Sequence, residues 1–162
     1  LYQPALDNVA RISAADQRTS FAGSHFFYED VSGRHIDADE HELVETTDNY
    51  YVLKNTPKDK SLVEFTYYKM WIHKTTFVVV KTEYYDKPAG ADGKDPEPYR
   101  IYEARELKTI DGFPTVTKAR MTDHRIGGHT DMEYTTVQYN VGLPDDLFTE
   151  RYLRRAPKNY LQ

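Results

Sequence analysis

The chain has 162 residues, a net charge of −5, 39% hydrophobic and 29% charged residues, and no cysteine. That length supports one domain with a core and is too short to expect two, while the absence of thiols excludes a disulfide scaffold, a thiolate zinc site and a lipid-anchored cysteine in this stretch. Charges of both signs are interspersed, which argues against nucleic acid as a partner, and no apolar run approaches the roughly 18 residues of a membrane-spanning helix.

The aromatic content points to β structure. Fourteen Tyr, seven Phe and one Trp suit half-buried pleated surfaces, where a ring packs and a hydroxyl reaches water. Residues 1–12, LYQPALDNVARI, mix apolar and basic residues and read as an edge strand turning at Pro4. Ser13–Arg34 carries Gly23, Gly33 and clustered aromatics without a strand period. It reads as a loop with a short helical turn, Ser24 being the candidate N-cap. From Glu40 the pattern is one of hairpins. His41–Thr47 and Tyr50–Asn55 flank Asp48-Asn49, a pair that tolerates positive φ. Leu62–Ile72 and Thr76–Tyr85 are the strongest strands, joined by His73-Lys74-Thr75. DKPAGADGKDPEP, Asp86–Pro98, is a loop. Tyr99–Thr109 and Pro114–Thr122 pair around Asp111-Gly112, Thr130–Tyr139 follows Gly127-Gly128, and Pro144–Arg154 reads as one short helix with acids in its first turn and arginines in its last.

The order is a meander of antiparallel strands. Thr76, Val78, Val80, Thr82 and Tyr84 share one face of their strand; Phe77, Val79, Lys81, Glu83 and Tyr85 share the other. Thr117, Ala119 and Met121 oppose Val116, Lys118 and Arg120 in the same way. One face of each strand is moderately apolar and the other charged, which fits a single curved sheet with one wet face. Such a sheet needs a cover. Ser20–Asp30 and the C-terminal helix are the candidates in the chain, and either residues before Leu1 or a ligand would supply the rest.

Candidate sites follow from this. The ligand-binding candidates on the cleaner face are Val78, Val80, Tyr84, Ala119 and Met121, with Met70 or Trp71 from the neighbouring strand; the same residues would equally pack beneath helices. The register of Leu62–Ile72 stays open, since Phe65, Tyr67 and Trp71 oppose Met70 and Ile72. Methionine suits a wall that adapts to flexible chains. The run His35-Ile36-Asp37-Ala38-Asp39-Glu40-His41 has metal-ligating residue types but sits in a predicted loop, where acidic stretches are usually solvated. His124 and His129 straddle a Gly-Gly turn and read no differently. Asp92-Gly93-Lys94-Asp95 lacks the alternating ligands and closing Glu of a calcium loop. The chain has no Gly-x-Ser-x-Gly elbow, cysteine nucleophile or phosphate-cradling glycine loop, so it is read as a non-enzyme without cofactor or metal. The basic tail, Arg151, Arg154, Arg155 and Lys158, is read as serving the helix dipole and solubility.

Four segments in order, LYQPALDNVARI, SFAGSHFFYEDV, VVVKTEYYDK and VQYNVGLPDDLFTERYLRR, resemble the outer-membrane lipoprotein-sorting protein family related to LolA-type carriers. His25 and Phe27 depart from the Asp and Ser of that pattern. The family also has an N-terminal helix and first strands ahead of the Tyr-x-Pro-Ala-Leu segment, so the resemblance implies a chain that lacks them. It further implies a mainly β, half-open barrel with few short helices plugging its mouth, forming one domain over 1–162. The expected setting is the periplasm of a diderm bacterium. Lipid or lipoprotein acyl chains would bind between sheet and helices, with an inner-membrane RND-type exporter as an expected partner. A docking module without its own ligand is the alternative, and a neighbouring copy could stand in for the missing lid as a dimer.

Overall fold

The structure, a computed structural model, describes residues 2–3, 7–9, 12–13 and 16–154. Two short strands, β1 (Tyr2–Gln3) and β2 (Asn8–Val9), pair antiparallel. The turn expected at Pro4 lies outside the described residues. The short helix α1 covers Tyr28–Ser32. Seven strands then follow: β3 (Asp39–Thr46), β4 (Tyr50–Pro57), β5 (Tyr67–His73), β6 (Val79–Tyr85), β7 (Arg100–Ile110), β8 (Phe113–Asp123) and β9 (His129–Glu133). The chain's last described element is α2 (Glu150–Arg154).

The seven strands form one antiparallel sheet in strict sequence order, with β3 and β9 at its edges, so the meander read from the sequence is the observed topology and the sheet is not closed into a barrel. Turn chemistry fixes the hairpins. Asp111 and Gly112 both have positive φ, 52° and 85°, which a two-residue turn matched to strand twist requires. The β3–β4 turn works differently. Thr47 closes it by donating its backbone N–H to Tyr50 O and accepting the Tyr50 N–H on its hydroxyl, at 2.9 and 3.0 Å.

Several strands are shorter than their apolar runs. The segment before Tyr67 is a 3-10 turn at Lys60–Leu62 and an irregular stretch that carries Val63 and Phe65 into the core. The strand expected to reach Tyr139 stops at Glu133. Beyond it Tyr134 N–H still bonds Thr117 O, and the Tyr139 ring lies 4.7 Å from Phe113. The C-terminal segment is two pieces, a 3-10 turn at Asp145–Phe148 and α2, separated by an extended Thr149.

Cross-strand register sorts the faces. Asn55, Tyr68, Tyr84, Arg100 and Asp123 align across β4 to β8, and Leu53, Met70, Thr82, Tyr102 and Met121 form the next row. Alternation puts Lys54, Lys69, Glu83 and Ile101 on the opposite face. That opposite face is not uniformly wet. Tyr67 and Tyr85 stack at 4.6 Å and are buried, Val52 is buried further along the same face opposite Trp71, and Asp95 from the 86–98 loop accepts from Tyr67 and pairs with Lys69.

Two apolar clusters lie on the first face. Val63, Phe65, Tyr68 and Tyr99 make one, with Met70 and Tyr84 against it. Phe26, Ala119 and Met121 make the other, joined by Phe21, Tyr102, Val116 and Met132. The 20–34 segment therefore roofs part of this face, as the sequence suggested for Ser20–Asp30.

Candidate functional site

The roof is held by a small number of polar anchors. Arg100 is 2% exposed, donates to Asp30 and to His25 O (3.0 Å), and lies 3.8 Å from the Asp123 carboxylate. Its guanidinium also stacks 3.7 Å from the centre of the Phe27 ring. Burial works against its charge, yet the Asp30 carboxylate holds its pKa above the usual arginine value. Asp30 in turn accepts the Phe27 N–H at 2.6 Å, which opens α1, and the Tyr84 hydroxyl at 3.3 Å. Ser24 caps no helix; its hydroxyl donates to Phe21 O and tightens the preceding turn.

His25 supplies the second anchor. Nε2 lies 3.1 Å from Gly127 O, so that nitrogen carries the proton, and Nδ1 accepts from the Thr130 hydroxyl at 2.8 Å. The two residues that depart from the resembled pattern, His25 and Phe27, thus both fasten the roof to the sheet. The third anchor is Arg34, which forks onto Asp39 with two 2.8 Å bonds and reaches Glu29 at 2.8 Å. Its pKa is raised chiefly by the Asp39 hydrogen bonds. Tyr68 also donates to Asp39, at 2.7 Å.

Where the roof ends, a cleft of about 200 Å³ opens, walled by Glu29, Asp30 and Arg34 from the roof and Phe65, Tyr68, Met70, Thr82 and Tyr84 from beneath it. Burial raises the pKa of Tyr68 and of Tyr84, with the neighbouring carboxylates adding to it. Beyond the cleft the same face continues over half-buried Tyr51, Leu53 and Ile72.

The seven sequence-predicted ligand residues fall into separate places. Met70 and Tyr84 line the cleft. Ala119 and Met121 are buried with Phe26, at 3% and 1% exposure. Trp71 faces away from Met70, with Lys81 Nζ 4.8 Å from its ring centre. A register shift between Trp71 and Ile72 leaves Val80 as the extra residue of a bulge. Val80 lines a second hollow, about 240 Å³, with Tyr50, Trp71, Lys81, Glu103 and Ala104. Val78 sits in the β5–β6 turn, where its carbonyl accepts from His73 N.

The other sequence candidates are accounted for locally. In the 35–41 run, Asp39 is taken by Arg34 and Tyr68, His41 by Asn55 and Ile36 O, and His35 and Asp37 are exposed. Among the described residues no three His, Asp or Glu side chains converge on a metal position. Asp92 accepts the Lys94 N–H, while Asp95 turns to Tyr67 and Lys69. Arg154 reaches Asp7, and Arg155 and Lys158 lie outside the described residues. No helix among the described residues is long and apolar enough to cross a membrane.

An open meander sheet, roofed on one face by a clamped segment with a cleft at the roof's margin, defines a LolA-type β domain. Solved structures agree. A Vibrio parahaemolyticus domain described as an outer membrane lipoprotein-sorting protein matches with a TM-score of 0.77 and 26% identity over 95% of this chain and 64% of that one. A DUF1329 family protein from Desulfovibrio piger matches with a TM-score of 0.75 and 26% identity, over 94% and 62%. The LolA superfamily protein NE2245 from Nitrosomonas europaea shares the fold, with a TM-score of 0.61 at 21% identity, over 94% and 66%. The chain thus spans less than two thirds of the length of the first two. A search of curated proteins gives no match. A family described as “Uncharacterized protein” matches residues 1–155, and the chain belongs to that family.

Proposed function

We propose that this domain is a periplasmic, non-enzymatic carrier that holds a lipid or the acyl chain of a lipoprotein across the partly roofed face of its sheet. The observation that carries the reading is the cleft beneath Glu29 and Arg34. It is smaller than the roughly 300–1,000 Å³ of a typical drug-sized pocket, but it opens onto the Tyr51, Leu53 and Ile72 stretch of the same face. One end of an amphiphile fits in the cleft while its chain lies on half-buried apolar surface. Burial of that chain supplies affinity at about 25 cal/mol per Å². The lipoprotein-sorting description of the Vibrio relative supports the same ligand class.

The test is uptake of N-phenyl-1-naphthylamine, read by fluorescence, with native mass spectrometry of the protein isolated from periplasm. The wild type should retain lipid and bind the probe. Met70→Asp should weaken uptake at least tenfold, whereas Val80→Asp, in the other hollow, should leave it unchanged. A protein free of lipid and unable to bind the probe would overturn the carrier reading. A second reading, docking on a membrane transporter such as an RND-type exporter, is favoured by the half-exposed Trp71 in the hollow with Tyr50 and Val80 on the outer face. Trp71→Ala should then abolish transporter binding while sparing probe uptake.

A further inference from the structure

We propose that the head group seated in the cleft is an alkylammonium cation rather than a carboxylate or another anion. The inference rests on the carrier reading and concerns which amphiphile the cleft selects. Its walls combine two features. One is an aromatic trio: Phe65 lies 5.4 Å from both Tyr68 and Tyr84, and those two rings lie 5.5 Å apart. Cations within about 6 Å of such ring centres are attracted by the ring quadrupole, the principle behind quaternary-ammonium cages. The protein's own cations already use these rings, with Arg34 5.6 Å from Phe65 and Arg100 5.2 Å from Tyr84.

The second feature is the distribution of charge. Both guanidiniums are committed, Arg34 to Asp39 and Glu29, Arg100 to Asp30 with Asp123 close by. Four carboxylates therefore face two guanidiniums. An incoming carboxylate would find its cations occupied and would stand beside Glu29 and Asp30, both in the cleft wall. Like charges at such range disfavour the ionised ligand. An ammonium gains instead. Glu29 accepts Arg34 on Oε1, and among the described residues its Oε2 accepts no hydrogen bond. A cleft of about 200 Å³ also suits a head group better than a whole chain, which leaves the chain to the open stretch of the face.

The experiment compares amphiphiles of one chain length below their micelle concentrations, by displacement of the naphthylamine probe: dodecyltrimethylammonium, dodecylphosphocholine, dodecyl maltoside and dodecanoate. The trimethylammonium compound should bind at least tenfold more tightly than dodecanoate, with the maltoside between them. Glu29→Gln should cut that ratio to threefold or less. Met70→Lys, which places a cation in the cleft without removing a partner of Arg34, should reverse the preference. Dodecylphosphocholine binding as tightly as the trimethylammonium compound would identify a zwitterionic lipid head as the source, and weaker binding a free cationic amphiphile; both support the ammonium seat. Equal affinity for dodecanoate, or a ratio unmoved by both substitutions, would overturn the inference and leave the carrier reading standing. Failure of every amphiphile to displace the probe would move the probe site away from the cleft and overturn the carrier reading with it.

Discussion

Asp30→Ala should destabilise the domain by about 3 kcal/mol. Arg100 is 2% exposed and the Asp30 side chain 10%, and removing one partner of a buried ion pair costs roughly 3–5 kcal/mol because the other charge is left uncompensated. Asp123 at 3.8 Å and His25 O at 3.0 Å keep part of that compensation, which puts the value at the low end. The lost acceptor for Phe27 N–H, a helix-opening bond normally worth about 1 kcal/mol, prevents it from falling much further. For a chain of this length each kcal/mol moves the thermal midpoint by roughly 2–4 °C, so the expected drop is about 6–12 °C. Urea and thermal melts followed by circular dichroism measure this directly, and hydrogen exchange should show faster opening confined to residues 20–34. Asp30→Asn, whose amide oxygen still accepts from Phe27, should lose less. A loss below about 1 kcal/mol for Asp30→Ala would show that the Asp30–Arg100 pair does not hold the roof and that its other contacts do.

His41 should make stability fall between pH 6 and pH 8. Both its ring nitrogens face oxygen acceptors, Asn55 Oδ1 at 2.6 Å and Ile36 O at 2.8 Å, and Asn55 is oriented by donating to Leu53 O. The imidazolium is therefore favoured and the pKa is raised, first by Asn55. A raised folded value contributes stability that is complete below the unfolded pKa, near 6.5, and is lost as pH rises through the folded one. Paired melts at the two pH values should show a drop in the wild type that His41→Gln removes; an identical drop in both would refute the assignment. Gly112→Ala should cost about 1–2 kcal/mol in urea unfolding, since Gly112 has φ +85°. Phe77 is 72% exposed at φ 55°, so Phe77→Asn, a residue that tolerates that conformation, should raise the urea midpoint. A lower midpoint would mean that the Phe77 ring contributes contacts that outweigh the backbone strain.

Strand order and most strand positions were legible because alternation and turn residues are local signals. Thr117, Ala119 and Met121 already shared a face in the sequence, and β8 buries every second residue from Thr115 to Asp123. The site was less legible because two bulges and a distant pairing decide it. The shift at Trp71/Ile72 displaces Val80, which strict alternation had kept in phase with Tyr84. A further shift between Ala104 and Glu106 interrupts β7. Arg100 meets Asp30 from 70 residues away, a contact no local pattern encodes. One signal was present: extended backwards, the phase of Tyr102 and Ala104 includes Arg100, a charged residue on an apolar face. Such a charge calls for a buried partner, and the acids of the Tyr28–Asp30 stretch were the nearest candidates on the predicted cover.

The β3 edge has a colloidal consequence. Its exposed stretch carries Glu40, Glu42 and Glu45, among exposed Leu43 and Val44 and next to a bulge. An edge with free backbone donors and acceptors and two aliphatic side chains is a template for assembly. Two such edges meeting antiparallel would bring rows of glutamates together, and like charges directly opposed across strands repel. The acids thus act as gatekeepers whose strength is set by the solvent. As salt is added and the Debye length shrinks to about 3 Å at 1 M, the repulsion fades and reversible edge-to-edge association becomes the expected state of concentrated solutions.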